Sequence, residues 1–169
     1  MYEILIVGGG PAGLTAAIYA ARAGKHVAVL ERGSTGGQII SAPLVENYPG
    51  IPSVSGTELA RQMTEQACTF GAEIVYTEAV GLEKTPAGFR VLCTDGVREA
   101  KTVILATGAA HRSLGLAAED ALTGCGVSYC AVCDGAFYEG LDVAVVGGGD
   151  TAVQDAPVSY THLTLPTKA

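Results

Sequence analysis

Ile4-Leu5-Ile6-Val7-Gly8-Gly9-Gly10-Pro11-Ala12-Gly13 is the stretch that decides the fold of this chain. Its four leading residues are apolar and branched, which is typical of a strand buried on both faces of a parallel sheet. Beyond the glycines, an alanine-rich segment that stops at Gly24 predicts a helix. The following segment, residues 25–31, predicts a second strand that ends in an acid, Glu31.

Strand, glycine turn, helix, strand and acid stand in the register of a dinucleotide-binding unit. Gly8 permits the tight turn, Gly10 lets a pyrophosphate approach the backbone, and Gly13 allows the helix to pack closely on the strand. The helix N-terminus offers unpaired N–H groups and the positive end of its dipole to the phosphates. Glu31 can accept hydrogen bonds from ribose hydroxyls. The alternative is a glycine-rich turn without a ligand.

Composition narrows the class of protein. Of the 169 residues, 49% are hydrophobic and 16% charged, which indicates a globular chain with a sizeable core and excludes a disordered one. The net charge of -7, with no basic run, argues against nucleic acid as a partner. The apolar N-terminal segment is interrupted by glycines and proline, which argues against a membrane span. Because five cysteines are an odd number, we expect a cytoplasmic protein.

A second motif, Cys130-Ala131-Val132-Cys133-Asp134-Gly135, places two thiols two residues apart beside an acid. Such a pair can close and reopen a small disulfide ring, and the acid can supply or take a proton. We interpret it as a redox dithiol. Half of a metal site and inert thiols are the alternatives; a zinc site needs two further ligands at similar spacing, and no second pair of this kind occurs.

Between these motifs the chain changes character twice. Residues 32–56 are rich in Gly, Ser and Pro and predict a long functional loop. From the residues alone, loop-internal hydrogen bonding is the favoured role for Gln38 and Asn47. Residues 57–70 predict a helix that opens after Ser55-Gly56, with Leu59, Met63, Ala67 and Phe70 at helical spacing as expected core residues. Three strands are then predicted over 73–80, 89–94 and 100–106. The last of these ends in Thr107-Gly108.

The opening pattern returns late in the chain. Residues 141–146 predict another strand, and Gly147-Gly148-Gly149-Asp150-Thr151-Ala152 repeats the phosphate turn as Gly-x-Gly-x-x-Ala. Pro157 then predicts a helix end at Ala156. Because residues 157–169 match neither a helix nor a second strand, we expect them to be a non-native tail on a truncated second unit.

Taken together, these motifs resemble the low-molecular-weight thioredoxin reductases over nearly all of residues 1–156. The resemblance rests on Gly8–Gly13, Gly36-Gly37-Gln38, Val45-Glu46-Asn47-Tyr48-Pro49-Gly50, Ala106-Thr107-Gly108, Gly126–Gly135 and Gly147–Ala152. It implies an α/β fold with a Rossmann-like FAD-binding domain that carries a β-rich insertion. We expect this domain over residues 1–114 and the incomplete start of a Rossmann-like NADPH domain over 115–156.

The resemblance also implies an electron path from NADPH to FAD, to the Cys130–Cys133 disulfide and on to thioredoxin. Cys133 is similar to the thiol nearest the flavin, Cys130 to the thiolate that attacks thioredoxin, and Asp134 to the acid that protonates the leaving thiol. It implies a homodimer for the full-length enzyme. We expect the 169 residues alone to be an inactive fragment, and we assign no metal site.

By the same resemblance, Gln38 and Asn47 become FAD contacts. The expected cofactor-binding residues are Gly8, Gly10, Pro11, Ala12, Gly13, Glu31, Arg32, Gly37, Gln38, Asn47, Val80, Thr107 and Gly108 for FAD, and Gly147, Gly149 and Ala152 for NADPH.

Three other functions share part of this pattern. The flavoprotein subunit of alkyl hydroperoxide reductase has the same motifs but an extra N-terminal domain. A related reductase or dithiol oxidase acting on another disulfide is harder to separate. A non-catalytic FAD-binding or redox-sensing module would need no Asp134 beside the thiols.

Overall fold

The computed structural model describes residues 1–110 and 112–162, except for the side chains of Val132 and of residues 158–162. The chain divides into two compact units, Met1–Ala110 and His111–Ala169. This division lies close to the boundary expected at residue 114, and the assignment of the two units to FAD and NADPH domains stays a prediction.

Unit 1 is built from six strands and two helices. The strands are β1 Tyr2–Val7, β2 Val27–Glu31, β3 Glu73–Tyr76, β4 Ala79–Thr85, β5 Gly88–Cys93 and β6 Gly96–Leu105, and the helices are α1 Pro11–Arg22 and α2 Gly56–Thr69. The strand order is β3-β2-β1-β6-β5-β4. Strands β3, β2, β1 and β6 run parallel, and β4, β5 and β6 are antiparallel neighbours.

Strands β1 and β2 are buried on both faces, as their continuous apolar runs predict. Along β1, Leu5 enters one core cluster and Ile6 the other, because successive side chains of a strand point to opposite faces. One cluster lies with α1 and α2 and includes Leu14 and Leu59. The other contains Val91 of β5 beside residues of β1, β2 and β6. The helices therefore cover one face and the antiparallel strands the other.

This second layer requires the sheet to bend. Tyr76 ends β3 at one edge of the sheet, and Ala79 begins β4 at the other edge. Three residue steps span at most about 10 Å, whereas the edges of a flat six-stranded sheet lie roughly 24 Å apart. The sheet must therefore coil until its edges approach each other. Hydrogen bonds at this joint run from Thr77 N to the Glu31 carbonyl at 2.9 Å and from Thr94 N to the Glu78 carbonyl at 3.0 Å.

Two predictions for unit 1 are wrong in detail. The single strand predicted over 73–80 is two strands, because the chain turns at Thr77 from one sheet edge to the other. Leu59, Met63 and Ala67 of α2 are buried as expected, but Phe70 is 42% exposed. Phe70 is the C-cap residue, beyond the last turn of α2, and its ring lies 5.5 Å from the Arg22 guanidinium.

Unit 2 contains three helices in its described part, α3 Glu119–Leu122, α4 Ala131–Asp134 and α5 Asp150–His162, with a 3₁₀ turn over Gly135–Tyr138. The strand predicted over 141–146 is not formed. A strand needs partners for its backbone groups; β1 has β2 and β6 beside it, and the described residues of unit 2 contain no strand that could play this part.

The predicted helix end at Ala156 is also wrong, because α5 continues through Pro157 to His162. Proline cannot donate to the carbonyl four residues earlier, but this removes one hydrogen bond and leaves the others of the helix in place. Residues 163–169 of the expected non-native tail lie outside the described residues. Its origin stays a prediction.

Candidate functional site

The glycine turn of unit 1 leaves room for a ligand at one position only. A Cβ on Gly8, whose φ is 108°, would collide with the Ala106 carbonyl, and one on Gly13 would collide with the Gly8 carbonyl oxygen. A Cβ on Gly10 would find its nearest neighbours 4.0 Å away. Gly8 and Gly13 are thus required by close backbone packing, whereas the surface beside Gly10 is open.

The N-terminus of α1 suits an anion. Gly10 is its N-cap residue, Pro11 occupies the first turn, no side chain caps the helix, and no acid lies in the first turn. The N–H groups of Ala12 and Gly13 belong to the helix end whose donors lack partners within the helix. The open backbone at Gly10 and these free donors fit the pyrophosphate of a dinucleotide.

Glu31 lies at the carboxyl end of β2, beside the glycine turn. Its Oε2 accepts from Gly9 N at 2.7 Å and its Oε1 from Gly33 N at 2.9 Å. A carboxylate has about four acceptor positions, so capacity for ribose hydroxyls remains. Glu31 therefore also fixes the turn itself, a role that the sequence pattern did not predict.

A second loop closes over the turn. Gly36 N donates to the Gly9 carbonyl at 2.7 Å, and a Cβ on Gly37 would lie 3.3 Å from Gly10 Cα. The Gln38 amide donates to the Ala109 carbonyl, just beyond Thr107 and Gly108. The structure thus brings these residues together at the carboxyl ends of β1, β2 and β6. Ligands bind at this edge of doubly wound sheets.

Three expected FAD contacts lie farther out. Arg32 is exposed and forms an ion pair with Glu78 at 3.7 Å. Val80 is 63% exposed and lies at a register shift between β4 and β5, where a bulge frees backbone groups from the ladder. Asn47 is exposed in the loop before the Tyr48–Ile51 bridge. Their contacts with a flavin nucleotide stay predictions.

The two cysteines of the second motif, in unit 2, form a disulfide in this structure. Cys130 and Cys133 are bonded, with their Cα atoms 5.3 Å apart. Cys130 is the N-cap residue of α4, and its sulfur accepts from Cys133 N at 3.2 Å. Cys133 is exposed and Cys130 half-buried. An N–H directed at the Cys130 sulfur would stabilise its thiolate after reduction.

Ser128 connects the acid to the dithiol. Its hydroxyl lies 2.6 Å from Asp134 Oδ2, to which it donates, and it accepts from Cys130 N at 3.1 Å. Asp134 N in turn donates to the Cys130 carbonyl at 3.1 Å. Asp134 is therefore held against the turn that carries both sulfurs.

Glu119 and Tyr129 form a further contact beside the dithiol. The Tyr129 hydroxyl donates to Glu119 Oε1. Together with backbone donors from residues 114–116, this bond lowers the pKa of the Glu119 carboxyl. Conversely, the hydrogen bond to Glu119, followed by burial, raises the pKa of Tyr129 to about 12.

The second glycine turn is less complete than the first. Gly147 has a φ of 138°, and the turn leads into α5, where Val153 N donates to the Gly149 carbonyl at 3.1 Å. Ala152 lies in the first turn of α5, close to Gly147. Asp150 also lies there, whereas the first turn of α1 carries no acid. The turn fits a nucleotide phosphate, but the strand that should support it is missing from the described residues.

Ser128, Glu119 and Tyr129 were missed by the sequence analysis. Only their hydrogen bonds in the folded chain distinguish them. Within residues 1–110 and 112–162, no group of three or more His, Cys, Asp or Glu residues is placed to hold a metal ion. Nor does any helix there have the length and apolar character needed to cross a membrane.

Known proteins share both sequence and fold with this chain. The family model described as pyridine nucleotide-disulphide oxidoreductase matches residues 2–159. The thioredoxin reductase of Listeria monocytogenes serovar 1/2a is 44% identical over 164 residues, covering 97% of this chain and 50% of the relative. That of Bacillus subtilis (strain 168) is 44% identical over 155 residues, covering 92% of this chain and 49% of the relative.

Solved structures agree. The crystal structure of thioredoxin reductase from Streptococcus pyogenes MGAS5005 superposes with a TM-score of 0.90 at 49% identity, covering 95% of this chain and 53% of that one. Thioredoxin reductase from Giardia duodenalis gives a TM-score of 0.90 at 36% identity, covering 96% and 53%. The chain thus spans about half the length of the relatives it matches.

Proposed function

Because this chain belongs to the pyridine nucleotide-disulphide oxidoreductase family, we propose that it provides the flavin cradle and the dithiol of a thioredoxin-disulfide reductase. The observation that carries the proposal is the Cys130–Cys133 disulfide, with Asp134 held beside it by Ser128. The similar proteins named thioredoxin reductase support the choice of substrate.

We propose FAD as the ligand of the first glycine turn. The open backbone at Gly10 and the uncapped N-terminus of α1 support the pyrophosphate position. The position of Glu31 beside the turn supports a ribose site there. The contact between Gln38 and Ala109 supports a flavin-binding surface near Thr107 and Gly108. We propose NADPH for the turn at Gly147–Ala152. When bound, these cofactors supply the two electrons that convert the Cys130–Cys133 disulfide into a dithiol.

The residues of the chain then perform thiol–disulfide exchange. The Cys130 thiolate, stabilised by Cys133 N–H, attacks one sulfur of the thioredoxin disulfide and breaks that S–S bond. Asp134 supplies the proton for the thiolate that leaves. The Cys133 thiol next passes its proton to Asp134, and the resulting thiolate attacks the Cys130 sulfur and breaks the mixed disulfide. The second thioredoxin sulfur takes this proton as it leaves, so thioredoxin departs as a dithiol and the Cys130–Cys133 disulfide is restored.

A chimera tests this function. Residues 1–156 would replace the matching half of the Streptococcus pyogenes enzyme, which is 49% identical over this region. We expect a yellow protein that reduces thioredoxin with NADPH. Cys130→Ser should abolish turnover and retain the flavin, whereas Cys125→Ser, a change at an exposed free thiol, should leave turnover unchanged.

The outcome separates the proposed function from its rivals. Turnover of small disulfides but not of thioredoxin would indicate a related reductase, and a chimera without flavin would refute the cradle. The 169 residues alone should be inactive, and NADPH-dependent reduction of thioredoxin by them would contradict this.

The location and assembly of the protein are part of the same proposal. Cys68, Cys93 and Cys125 are free thiols, which favours a reducing compartment such as the cytoplasm. Thioredoxin is the proposed partner, and a homodimer is proposed for the full-length enzyme from the family resemblance. The net charge of -7 supports the absence of a nucleic-acid partner.

A further inference from the structure

Glu119 carries the only carboxylate that is buried in the part of the chain described by the structure. The residue is 4% exposed. Its Oε1 accepts from Leu114 N at 2.8 Å and from the Tyr129 hydroxyl. Its Oε2 accepts from Gly115 N at 2.8 Å and from Leu116 N at 3.2 Å. Each oxygen thus has two donors, which is what a buried carboxylate needs in order to stay ionised.

Tyr129 connects this carboxylate to the redox turn. Its backbone lies between Ser128, which is bonded to Asp134, and Cys130. The same segment is also joined to the end of α3 by a hydrogen bond from Val127 N to the Leu122 carbonyl, and to the turn after α3 by one from Gly124 N to the Val127 carbonyl, both 2.9 Å. Tyr129, the residue before Cys130, is therefore held through its side chain by Glu119, and Ser128 is held by Asp134.

We propose that Glu119 is a positioning residue for the Cys130–Cys133 dithiol and acts through the hydroxyl of Tyr129. The inference rests on the proposed redox role of the dithiol. A backbone held on both sides of the turn keeps the two sulfurs at the separation that the disulfide requires. Preorganisation of this kind raises the effective concentration of one thiol at the other. The contact therefore favours the closed disulfide over the open dithiol.

Two substitutions remove the contact in different ways. Tyr129→Phe deletes one donor and leaves the carboxylate with its three backbone partners, so the loop at residues 114–116 keeps its hydrogen bonds. Glu119→Gln replaces one oxygen by an NH₂ group, and this group would face two donors in either orientation. Thr123→Val is the matched control, because the Thr123 hydroxyl donates to the Glu119 carbonyl at 2.9 Å and does not touch the carboxylate.

The experiment measures the disulfide equilibrium in the whole 169-residue chain. Each variant is equilibrated with buffers of varied reduced and oxidised dithiothreitol. Free thiols are then alkylated, and the peptide that contains residues 130 and 133 is weighed. In this exchange the reagent is oxidised to its cyclic disulfide, and the Cys130–Cys133 bond is reduced to two thiols. Near-ultraviolet circular dichroism of each variant reports whether unit 2 remains folded.

We expect Tyr129→Phe to increase the equilibrium constant for reduction about threefold. Glu119→Gln should increase it at least as much, and Thr123→Val should leave it unchanged. Should Glu119→Gln fail to fold, Tyr129→Phe decides alone. An unchanged constant in folded Tyr129→Phe would overturn the inference, as would an equal shift in Thr123→Val. Because the assay uses neither FAD, NADPH nor thioredoxin, its result is independent of whether the proposed enzymatic function holds.

Discussion

Replacing Gly13 by alanine should separate the packing role of the glycine turn from its ligand role. Gly13 is the third residue of α1 and is buried. An added Cβ would overlap the Gly8 carbonyl oxygen and lie 3.0 Å from its carbonyl carbon and 3.4 Å from Ile6 Cγ2. These are backbone and core atoms, which no change of rotamer can move aside. The helix must therefore shift away from β1.

The expected loss follows from two opposing effects. Overpacking against backbone costs about 3 kcal/mol, at the upper end of the usual range. Alanine is favoured over glycine within a helix by about 1 kcal/mol. The free energy of unfolding should thus fall by about 2 kcal/mol, and the melting temperature by roughly 8 °C.

Gly10→Ala is the matched control on the same turn. Gly10 has φ −74° and ψ −179°, which alanine adopts readily, and its Cβ would meet nothing closer than 4.0 Å. Alanine reduces the conformational entropy of the unfolded chain, which should stabilise the fold by about 0.4–1 kcal/mol. This gain is offset because alanine is a poorer N-cap residue than glycine. Stability should change by less than about 0.5 kcal/mol. In the chimera, however, the same methyl group should reduce flavin content at least about tenfold, because it occupies the pyrophosphate approach.

Thermal and urea unfolding of the two variants, followed by far-ultraviolet circular dichroism, measures this difference. The reasoning would be refuted if Gly13→Ala unfolded at the same urea concentration as Gly10→Ala. Equal flavin content in Gly10→Ala and in the unaltered chimera would refute the ligand role of Gly10 while leaving the packing argument intact.

Three further predictions concern the core and the titrating groups. Leu5→Ala should lower the free energy of unfolding by about 2–5 kcal/mol, because Leu5 is 0% exposed. Leu82→Ala, at a position that is 45% exposed, should lower it by less than about 1 kcal/mol. Urea unfolding compares the two variants, and equal losses would contradict the burial of Leu5 in the core. The Tyr129 hydroxyl should titrate near pH 12 in absorbance at 295 nm. Since this pKa is raised from 10.0, its contribution to stability is complete below pH 10 and disappears as the pH rises through about 12; titration near 10 in the folded chain would exclude the hydrogen bond. The Asp95 pKa is lowered from 3.8 to about 2 by Arg98 and then by Thr77, so its contribution is present above pH 3.8 and is lost as the pH falls through about 2. Carbon-13 NMR of the carboxyl group measures this, and Arg98→Gln should move the pKa back towards 3.8; a value that did not move would assign the shift elsewhere.

The parts of the fold that could be predicted from sequence are those with a local cause. The first strand, the glycine turn and α1 follow from a buried apolar run, from backbone contacts that exclude a Cβ, and from an alanine-rich segment. α2 follows from helical spacing and from Ser55, whose hydroxyl accepts from Glu58 N at 3.2 Å. Each of these signals lies within a few residues of the element it predicts.

The failures have non-local causes. Residues 73–80 were predicted to form one strand but belong to two, β3 and β4. Nothing in these residues indicates that β3 pairs with β2 at one edge of the sheet and β4 with β5 at the other. Residues 141–146 have the composition of a strand, but a strand forms only beside a partner. Pro157 is a strong local signal against a helix, and α5 continues through it.

The candidate site divides in the same way. The glycines, Glu31 and the two cysteines are visible as motifs because their spacing along the chain carries the chemistry. Gln38 looks like any polar loop residue, and its contact with Ala109 depends on the folded positions of two distant loops. Glu119 looks like an exposed helical acid, and only burial and its four donors identify it.

The pairing of β1 with β6 has a consequence for the chain during its synthesis. Tyr2 pairs with Ala100 and Val7 with Leu105, so β1 leaves the ribosome well before β6 and acquires this neighbour only when nearly all of unit 1 has been made. Until then, the backbone N–H and C=O groups along that edge of β1 have no strand to pair with. Strands β4 to β6, by contrast, pair with their immediate neighbours in the chain and can form as soon as they emerge.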